Sequence, residues 1–188
     1  ERAVNSAISQ SWSEKEIIIV DDCSSDNSYE ILKKFANKEE SLTLLRHKKN
    51  LGYPAALNTA IRKSKGEFIA IFDDDDINTN NRVALQVNKI ISYEKKFKDS
   101  LILCYSNRDV FKYRSTKVDD VAYAIGRRSP EPVGIEVAEF LFGFPVNHSK
   151  VWGMFGSCTL MVRRNIFTKI GFFDEEFRRT SEWDFAIR

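Results

Sequence analysis

The chain of 188 residues has three cysteines, two histidines and four prolines. Cys23, Cys104 and Cys158 are odd in number and lack Cys-x-x-Cys spacing, which excludes a disulfide framework and a zinc signature. No apolar stretch is long enough to cross a bilayer. The 29 basic and 27 acidic residues leave a net charge of +2, so no nucleic-acid partner is indicated. The unpaired cysteines indicate a reducing compartment, and we expect Cys104 and Cys158 to be small buried hydrophobes.

Apolar segments alternate with amphipathic ones along the first half of the chain. The predicted strands are Glu16 to Val20, Leu42 to Arg46, Glu67 to Phe72 and Leu101 to Tyr105, and the predicted helices are Tyr29 to Asn37, Pro54 to Lys65 and Arg82 to Tyr93. This alternation is typical of an α/β protein with a mostly parallel central sheet and helices on both faces. We expect a single domain.

The second half is less regular. The predicted strands are Asp109 to Tyr113 and Cys158 to Val162, the predicted helices are Ile135 to Phe142 and Asn165 to Ile170, and Arg114 to Gly134 is predicted to be a loop.

Acidic residues follow two of the predicted strands directly. Asp21-Asp22 follow the first strand, and Asp73-Asp74-Asp75-Asp76 follow the third. Ligands of open α/β sheets bind at the carboxyl ends of strands, so we expect one shared site. Like charges this close repel one another unless a cation offsets them, and oxygen ligands suit Mg²⁺ or Mn²⁺ held together with substrate phosphates. A solvated acidic turn before a helix is the alternative.

Two other interpretations of the second acidic cluster fit less well. An EF-hand loop starting at Asp74 would need Gly and Glu where Thr79 and Leu85 stand. A phosphatase of the haloacid dehalogenase type also places Asp-x-Asp after a strand. That motif belongs on the first strand, with Thr or Val where Ile77 stands. A metal site for a nucleotide sugar fits better.

Five segments follow one another along nearly the whole chain. They are EIIIVDDCSSD from Glu16, NLGYPAALN from Asn50, GEFIAIFDDDD from Gly66, FFDEEF from Phe172 and SEWDFAIR from Ser181. In this order they resemble the family 2 glycosyltransferases, which have the Rossmann-like GT-A fold. Cys23 stands where the family usually has Gly, and Leu57 where many members have Arg.

The resemblance implies a role for each matching residue. Asp21 or Asp22 would receive the nucleotide base, most often uracil, and Asp73 would face the ribose or donor sugar. Glu182 would be the catalytic base, with Asp184 on the same motif. The implied nucleotide-sugar-binding residues are Asp21, Asp22, Asn50, Gly52, Asn58, Asp73 and Asp74. The implied metal ligands are Asp75 and Asp76, and the implied catalytic residues are Glu182 and Asp184.

The resemblance also implies the activity and its setting. We expect an inverting, metal-dependent glycosyltransferase that uses Mn²⁺ or Mg²⁺ and moves a sugar, from a UDP-sugar in particular, to a hydroxyl of a glycan or lipid-linked acceptor. The setting would be synthesis of cell-surface polysaccharide or lipopolysaccharide in the cytoplasm, with contact to the inner face of the cell membrane left open. A nucleotide-sugar-binding domain without turnover is the alternative.

The resemblance further divides the chain into a nucleotide-binding half at 1–105 and an acceptor-side half at 106–188. Family members normally open with an earlier strand and continue beyond the position of Arg188. We therefore expect a fragment whose acceptor side is truncated.

Overall fold

A computed structural model describes residues 1–98 and 101–188 of the chain. The helices are α1 Arg2–Ile8, α2 Ser28–Ala36, α3 Tyr53–Lys63, α4 Arg82–Lys96, α5 Ile135–Leu141, α6 Ile166–Ile170 and α7 Ser181–Ile187. The strands are β1 Ile17–Asp21, β2 Leu42–Arg46, β3 Phe68–Ala70, β4 Arg108–Phe111, β5 Val118–Ala122 and β6 Met161–Arg163.

Strands β1 and β2 form a parallel pair in which Ile17 faces Leu42 and Asp21 faces Arg46. Helix α2 makes the crossover between them, as parallel strands require. The Asp26 carboxylate accepts a 3.0 Å hydrogen bond from the Ser28 N–H, which satisfies one free donor at the start of α2. The predicted bounds of β2 are confirmed.

Strand β3 pairs with β6 in the antiparallel direction, with Ala70 opposite Met161. The described strands therefore form one parallel and two antiparallel pairs, so the pairing is less parallel than predicted. In the predicted strand Leu101 to Tyr105, Cys104 forms an isolated antiparallel bridge with Met161, and residues 101–103 are not part of a strand. The predicted strand Cys158 to Val162 opens instead with a 3₁₀ turn at Ser157–Thr159.

Strand β5 lies inside the segment that we expected to be a loop. It pairs with β4 in an antiparallel hairpin in which Arg108 faces Ala122. The acidic pair Asp119-Asp120 obscured this strand in the sequence, because both residues are exposed and break the apolar pattern.

The largest cluster of buried side chains joins the end of the chain to the strand that leads into the second acidic cluster. Phe173 and Phe185 stack with ring centroids 4.6 Å apart, and Ile71 belongs to the same cluster. Burying such apolar surface is the main stabilising contribution to this contact. The cluster thereby holds α7 near the end of β3. Among the described residues, no helix is long and apolar enough to span a membrane.

Candidate active site

The two residues of the first acidic cluster lie in different surroundings. Asp21 ends β1 and is 3% exposed. The Arg46 Nε lies 3.0 Å from its Oδ2, but no donor among the described residues makes a well-angled hydrogen bond to that oxygen. Arg46 instead donates to the Ser24 carbonyl and stacks over the Tyr29 ring. Asp21 therefore has one oxygen that is paired with Arg46 by charge but accepts no hydrogen bond from the described residues.

The Asp22 carboxylate, in contrast, is fully engaged with the loop that follows β2. The Leu51 N–H donates to it over 2.9 Å and the Gly52 N–H over 2.7 Å. The Nδ1 of His47 lies 2.6 Å from Asp22 Oδ1, and its Nε2 lies 2.9 Å from Thr59 Oγ1. Asp22 thus holds the loop between β2 and α3 in place.

These contacts also set the protonation of Asp22. Partial burial raises its pKa, but the hydrogen bonds from Leu51, His47 and Gly52 outweigh that effect. The pKa of Asp22 consequently lies below its usual value of 3.8. The carboxylate is therefore ionised at neutral pH and keeps these donors aligned.

The loop held by Asp22 is linked to the second acidic cluster by the side chain of the residue that follows it. Gly52 has φ +95°, a conformation that L side chains rarely adopt. The next residue, Tyr53, donates a 2.7 Å hydrogen bond to the Asp73 carboxylate, and its hydroxyl also lies 2.9 Å from the Ser157 hydroxyl. Burial and the Asp73 charge raise the pKa of Tyr53, so the phenol remains a donor. Tyr53 therefore connects the two acidic strand ends.

Asp73, Asp76 and Cys158 converge at the end of β3. One ligand atom from each lies within 4.8 Å of the others. Burial raises the pKa of Asp73, and the charges of the neighbouring aspartates add to that rise, while the Tyr53 hydrogen bond opposes it. The two carboxylates brought together in this way are suited to a divalent cation. Asp74 and Asp75 are exposed at the rim of the cluster.

The position of Cys158 differs from the prediction in one respect. The residue is buried, as expected, but its thiol faces the acidic cluster rather than an apolar core. The 3₁₀ turn at Ser157–Thr159 produces this orientation, and Arg108 Nη1 lies 3.3 Å from the sulfur. Burial and the charge of Asp73 raise the pKa of the Cys158 thiol. An alternating strand pattern could not have revealed this turn.

Arg82 is a buried cation next to the same cluster. It donates to the Ile71 carbonyl over 2.9 Å and to Asn78 Oδ1 over 2.5 Å, which ties the strand before the four aspartates to the loop after them. Burial lowers the pKa of Arg82 to about 10, while the charges of Asp76 and Asp73 act in the opposite direction. The guanidinium thus offsets part of the negative charge at the site.

The two carboxylates of the last motif lie on α7 and have different neighbours. Glu182 is half-buried, and its charge contributes, after burial, to raising the pKa of Tyr105. Asp184 is paired with Arg188 over 2.7 Å. Arg188 in turn donates to the Ile170 and Phe172 carbonyls. Asp184 is therefore held in an ion pair, whereas Glu182 forms no ion pair with any of the described residues.

The two predicted asparagines have structural contacts. The Asn50 side chain donates to the Asp22 carbonyl over 3.2 Å. Asn58 is 1% exposed, and its amide donates to the Phe173 carbonyl and to Glu175 and accepts from the Phe173 N–H. In this structure Asn58 joins α3 to the segment before α7 and does not face an open surface.

Sequence reasoning missed four polar residues that support the site, namely His47, Tyr53, Arg82 and Ser157. His47 could have been found, because it directly follows β2 at the same sheet edge as Asp21 and Asp22. The other three approach the acidic cluster only through the packing of α3, α4 and the 3₁₀ turn.

Comparison with known proteins identifies the family of the chain. The family model described as glycosyl transferase family 2 matches residues 1–170. The chain therefore belongs to this family. An uncharacterized glycosyltransferase of Rickettsia typhi is 29% identical over 182 residues, which is 97% of this chain and 51% of that protein. A cholesterol galactosyltransferase of Borreliella burgdorferi is 36% identical over 73 residues, 39% of this chain and 20% of that protein.

Solved structures confirm the predicted α/β Rossmann-like GT-A fold. Residues 1–349 of S. aureus TarS in complex with UDP superpose with a TM-score of 0.65 at 19% identity, covering 98% of this chain and 49% of that chain. A mannosyltransferase of Pyrobaculum calidifontis in complex with GDP-Man and Mn²⁺ has a TM-score of 0.60 at 19% identity. The match covers 93% of this chain and 43% of that chain. The chain spans about half the length of the Rickettsia typhi relative.

Proposed function

We propose that this chain is the catalytic core of an inverting, metal-dependent glycosyltransferase that moves a sugar from a UDP-sugar to an acceptor hydroxyl. The observation that carries the proposal is the convergence of Asp73 and Asp76 at the end of β3, linked through Tyr53 to the loop held by Asp22. Family membership supports the reaction class.

The donor would lie across the two acidic strand ends. Asp21, whose Oδ2 pairs with Arg46 but accepts no hydrogen bond among the described residues, would receive an N–H of the nucleotide base more readily than Asp22, because the Asp22 oxygens already have four close contacts. Gly52 and Asn50 shape the adjoining loop, and Asp73 and Asp74 would face the ribose or donor sugar.

The metal would lie beside the same carboxylates. Asp76, which already converges with Asp73, and Asp75 would hold Mn²⁺ or Mg²⁺ on the diphosphate. The bound ion would supply a positive charge that stabilises the departing diphosphate. Arg82 lies close enough to contribute a fixed positive charge to the same region.

The acceptor hydroxyl would attack the anomeric carbon from the side opposite the diphosphate. The new carbon–oxygen bond forms as the bond to the β-phosphate oxygen breaks, and Glu182 takes the proton of the acceptor hydroxyl. Asp184 orients this helix through Arg188. We propose a glycan or lipid-linked acceptor, as in cell-surface polysaccharide or lipopolysaccharide synthesis, and a cytoplasmic location.

A screen of nucleotides by thermal unfolding tests the donor, since a ligand that binds the folded state raises the melting temperature by mass action. We expect UDP to stabilise the protein in the presence of Mn²⁺ or Mg²⁺ and ADP to have little effect. UDP-sugar hydrolysis, or transfer to an added acceptor, then separates catalysis from the alternative of binding without turnover. Failure of every nucleotide to stabilise the protein would contradict both the proposed glycosyltransferase and the alternative of nucleotide-sugar binding without turnover.

A further inference from the structure

A cavity of about 430 Å³ lies in the part of the chain that the proposed donor site does not use. Its lining includes Arg128, Ser129, His148, Ser149, Lys150 and Trp152. The residues come from two segments, 128–129 and 148–152, that are separate in sequence. Cavities lined by an aromatic ring and a few converging polar groups are the usual form of a ligand site.

Backbone contacts hold the two walls of this cavity together. The Gly126 N–H donates to the Val151 carbonyl over 2.9 Å, and the Met154 N–H donates to the Tyr123 carbonyl over 2.7 Å. Gly153 is packed so tightly that a Cβ there would lie 2.5 Å from the Tyr123 carbonyl oxygen. The cavity is therefore built by fixed backbone and not by two loops that meet only through side chains.

The charge of the lining is positive. Lys150 is paired with Glu136. Among residues 1–98 and 101–188, no carboxylate lies within 4.0 Å of the charged nitrogens of Arg128 or of the ring nitrogens of His148. A guanidinium of this kind matches the planar oxygens of a phosphate or carboxylate.

Trp152 gives the cavity a rigid aromatic wall. Its ring stacks on Phe140 with centroids 4.7 Å apart, and its Nε1 donates to the Asn147 carbonyl over 3.0 Å. The ring centroid of Phe155 lies 6.2 Å from that of Phe140 and 6.5 Å from that of Trp183. Trp183 lies on α7 beside Glu182 in the sequence, so packed rings connect the wall of the cavity to the helix that carries the proposed catalytic base.

We propose that this cavity is an acceptor subsite that binds a phosphate or carboxylate group of an anionic acceptor. Arg128 would hold the anion and Trp152 would pack against the adjoining sugar or polyol. The packed rings from Trp152 to Trp183 would fix the position of the cavity relative to α7, which carries the proposed base Glu182. The acceptor role rests on the proposed function, whereas anion binding at Arg128 is tested independently of it.

Ligand-observed NMR titration with sn-glycerol 3-phosphate and with glucuronate tests the site, with glycerol and glucose as neutral counterparts. The two anions distinguish a phosphate-bearing from a carboxylate-bearing acceptor. Metal-free buffer prevents either anion from bridging to the acidic cluster. We expect at least one anion to bind, and Arg128→Ala to weaken its binding about tenfold, since a hydrogen bond to a charged group is lost.

Arg127→Ala is the matched control, because it removes the same charge from the adjacent residue, which stacks over the Tyr123 ring and does not line the cavity. Its dissociation constant should stay within about twofold of the parent value. Equal losses in the two variants, equal binding of neutral and anionic probes, or no binding by the parent would overturn the proposal. Unchanged binding by Arg128→Ala would also overturn it.

The same samples titrated with UDP and Mn²⁺ separate this inference from the donor assignment. We expect bound UDP to leave the affinity for the anion unchanged, and Arg128→Ala to bind UDP like the parent. Displacement of the anion by UDP would place it in the donor site and overturn the acceptor subsite. Failure of UDP to bind the parent would instead contradict the proposed donor, and the acceptor role of the cavity with it.

Discussion

The Tyr53 hydroxyl donates a 2.7 Å hydrogen bond to the Asp73 carboxylate. Tyr53 directly follows Gly52, whose N–H donates to Asp22 over 2.7 Å. The loop after β1 and the loop after β3 are thereby joined through two consecutive residues. In the proposed enzyme, this link would couple the nucleotide end of the donor site to its metal end.

Tyr53→Phe should weaken Mn²⁺-dependent UDP binding about tenfold, because the Asp73 carboxylate loses a hydrogen bond that holds its orientation. Calorimetric titration with UDP in saturating Mn²⁺ measures the effect. Tyr113→Phe is the control, since Tyr113 is 88% exposed. An unchanged dissociation constant for Tyr53→Phe, with the fold intact, would show that this link does not position Asp73.

Asp22→Asn should lower the free energy of unfolding by about 1–2 kcal/mol at neutral pH, because an amide cannot accept all the hydrogen bonds that the carboxylate accepts. The folded-state pKa of Asp22 is lowered, so its stabilising contribution is present above pH 3.8 and is lost as pH falls through the folded pKa. The difference between the parent and Asp22→Asn should therefore shrink in acid.

Urea unfolding at a series of pH values measures this difference. Asp109→Asn is the control, because Asp109 is exposed and its side chain makes no hydrogen bond or ion pair among the residues that the structure describes. A stability difference that stays constant into acid would be inconsistent with the assigned contacts of Asp22.

Cys23→Gly should raise the free energy of unfolding by about 1 kcal/mol, because Cys23 has φ +63°, which is strained for a side chain with a Cβ. The greater freedom of glycine in the unfolded chain offsets part of the gain. Chemical denaturation gives the value. Ser25→Gly, at a position without positive φ, should destabilise the protein. Destabilisation by both substitutions would contradict strain at Cys23.

Glu182→Gln should reduce the rate of transfer about 10²- to 10⁴-fold and leave UDP binding unchanged, because it keeps the shape and removes the proton acceptor. Rates at saturating donor, together with UDP titration, separate the two effects. Glu40→Gln is the control, because Glu40 is exposed and lies outside the five family segments. Near-normal turnover, or a loss confined to donor affinity, would exclude Glu182 as the base.

The parts of the fold that follow from local pattern were predictable. Strand β2 has its predicted bounds because an apolar run ends at a charged residue, and α3 begins where Gly52 and Pro54 favour a helix start. The family was predictable because five short segments occur in order. Cys23 stands where the resemblance leads us to expect Gly, and its positive φ is a conformation that glycine adopts without strain.

The parts that depend on distant packing could not be predicted. The segment from Leu101 to Tyr105 has the composition of a strand, but within the described parts of the chain its only strand contact is the bridge at Cys104. The thiol of Cys158 reaches the acidic cluster through a 3₁₀ turn that no alternation of residues signals. The link from Tyr53 to Asp73 depends on how α3 packs, so it was visible only in three dimensions.

The central claim is that the acidic cluster after β3 binds the donor diphosphate through a divalent metal. Calorimetric titration of UDP into the protein in Mn²⁺ and in EDTA, for the parent, Asp75→Ala and Asp76→Ala, tests it most directly. We predict that UDP binds the parent only when the metal is present and that both variants lose affinity in saturating Mn²⁺. Equal UDP affinity in Mn²⁺ and EDTA, or parent-like binding by both variants, would contradict the claim.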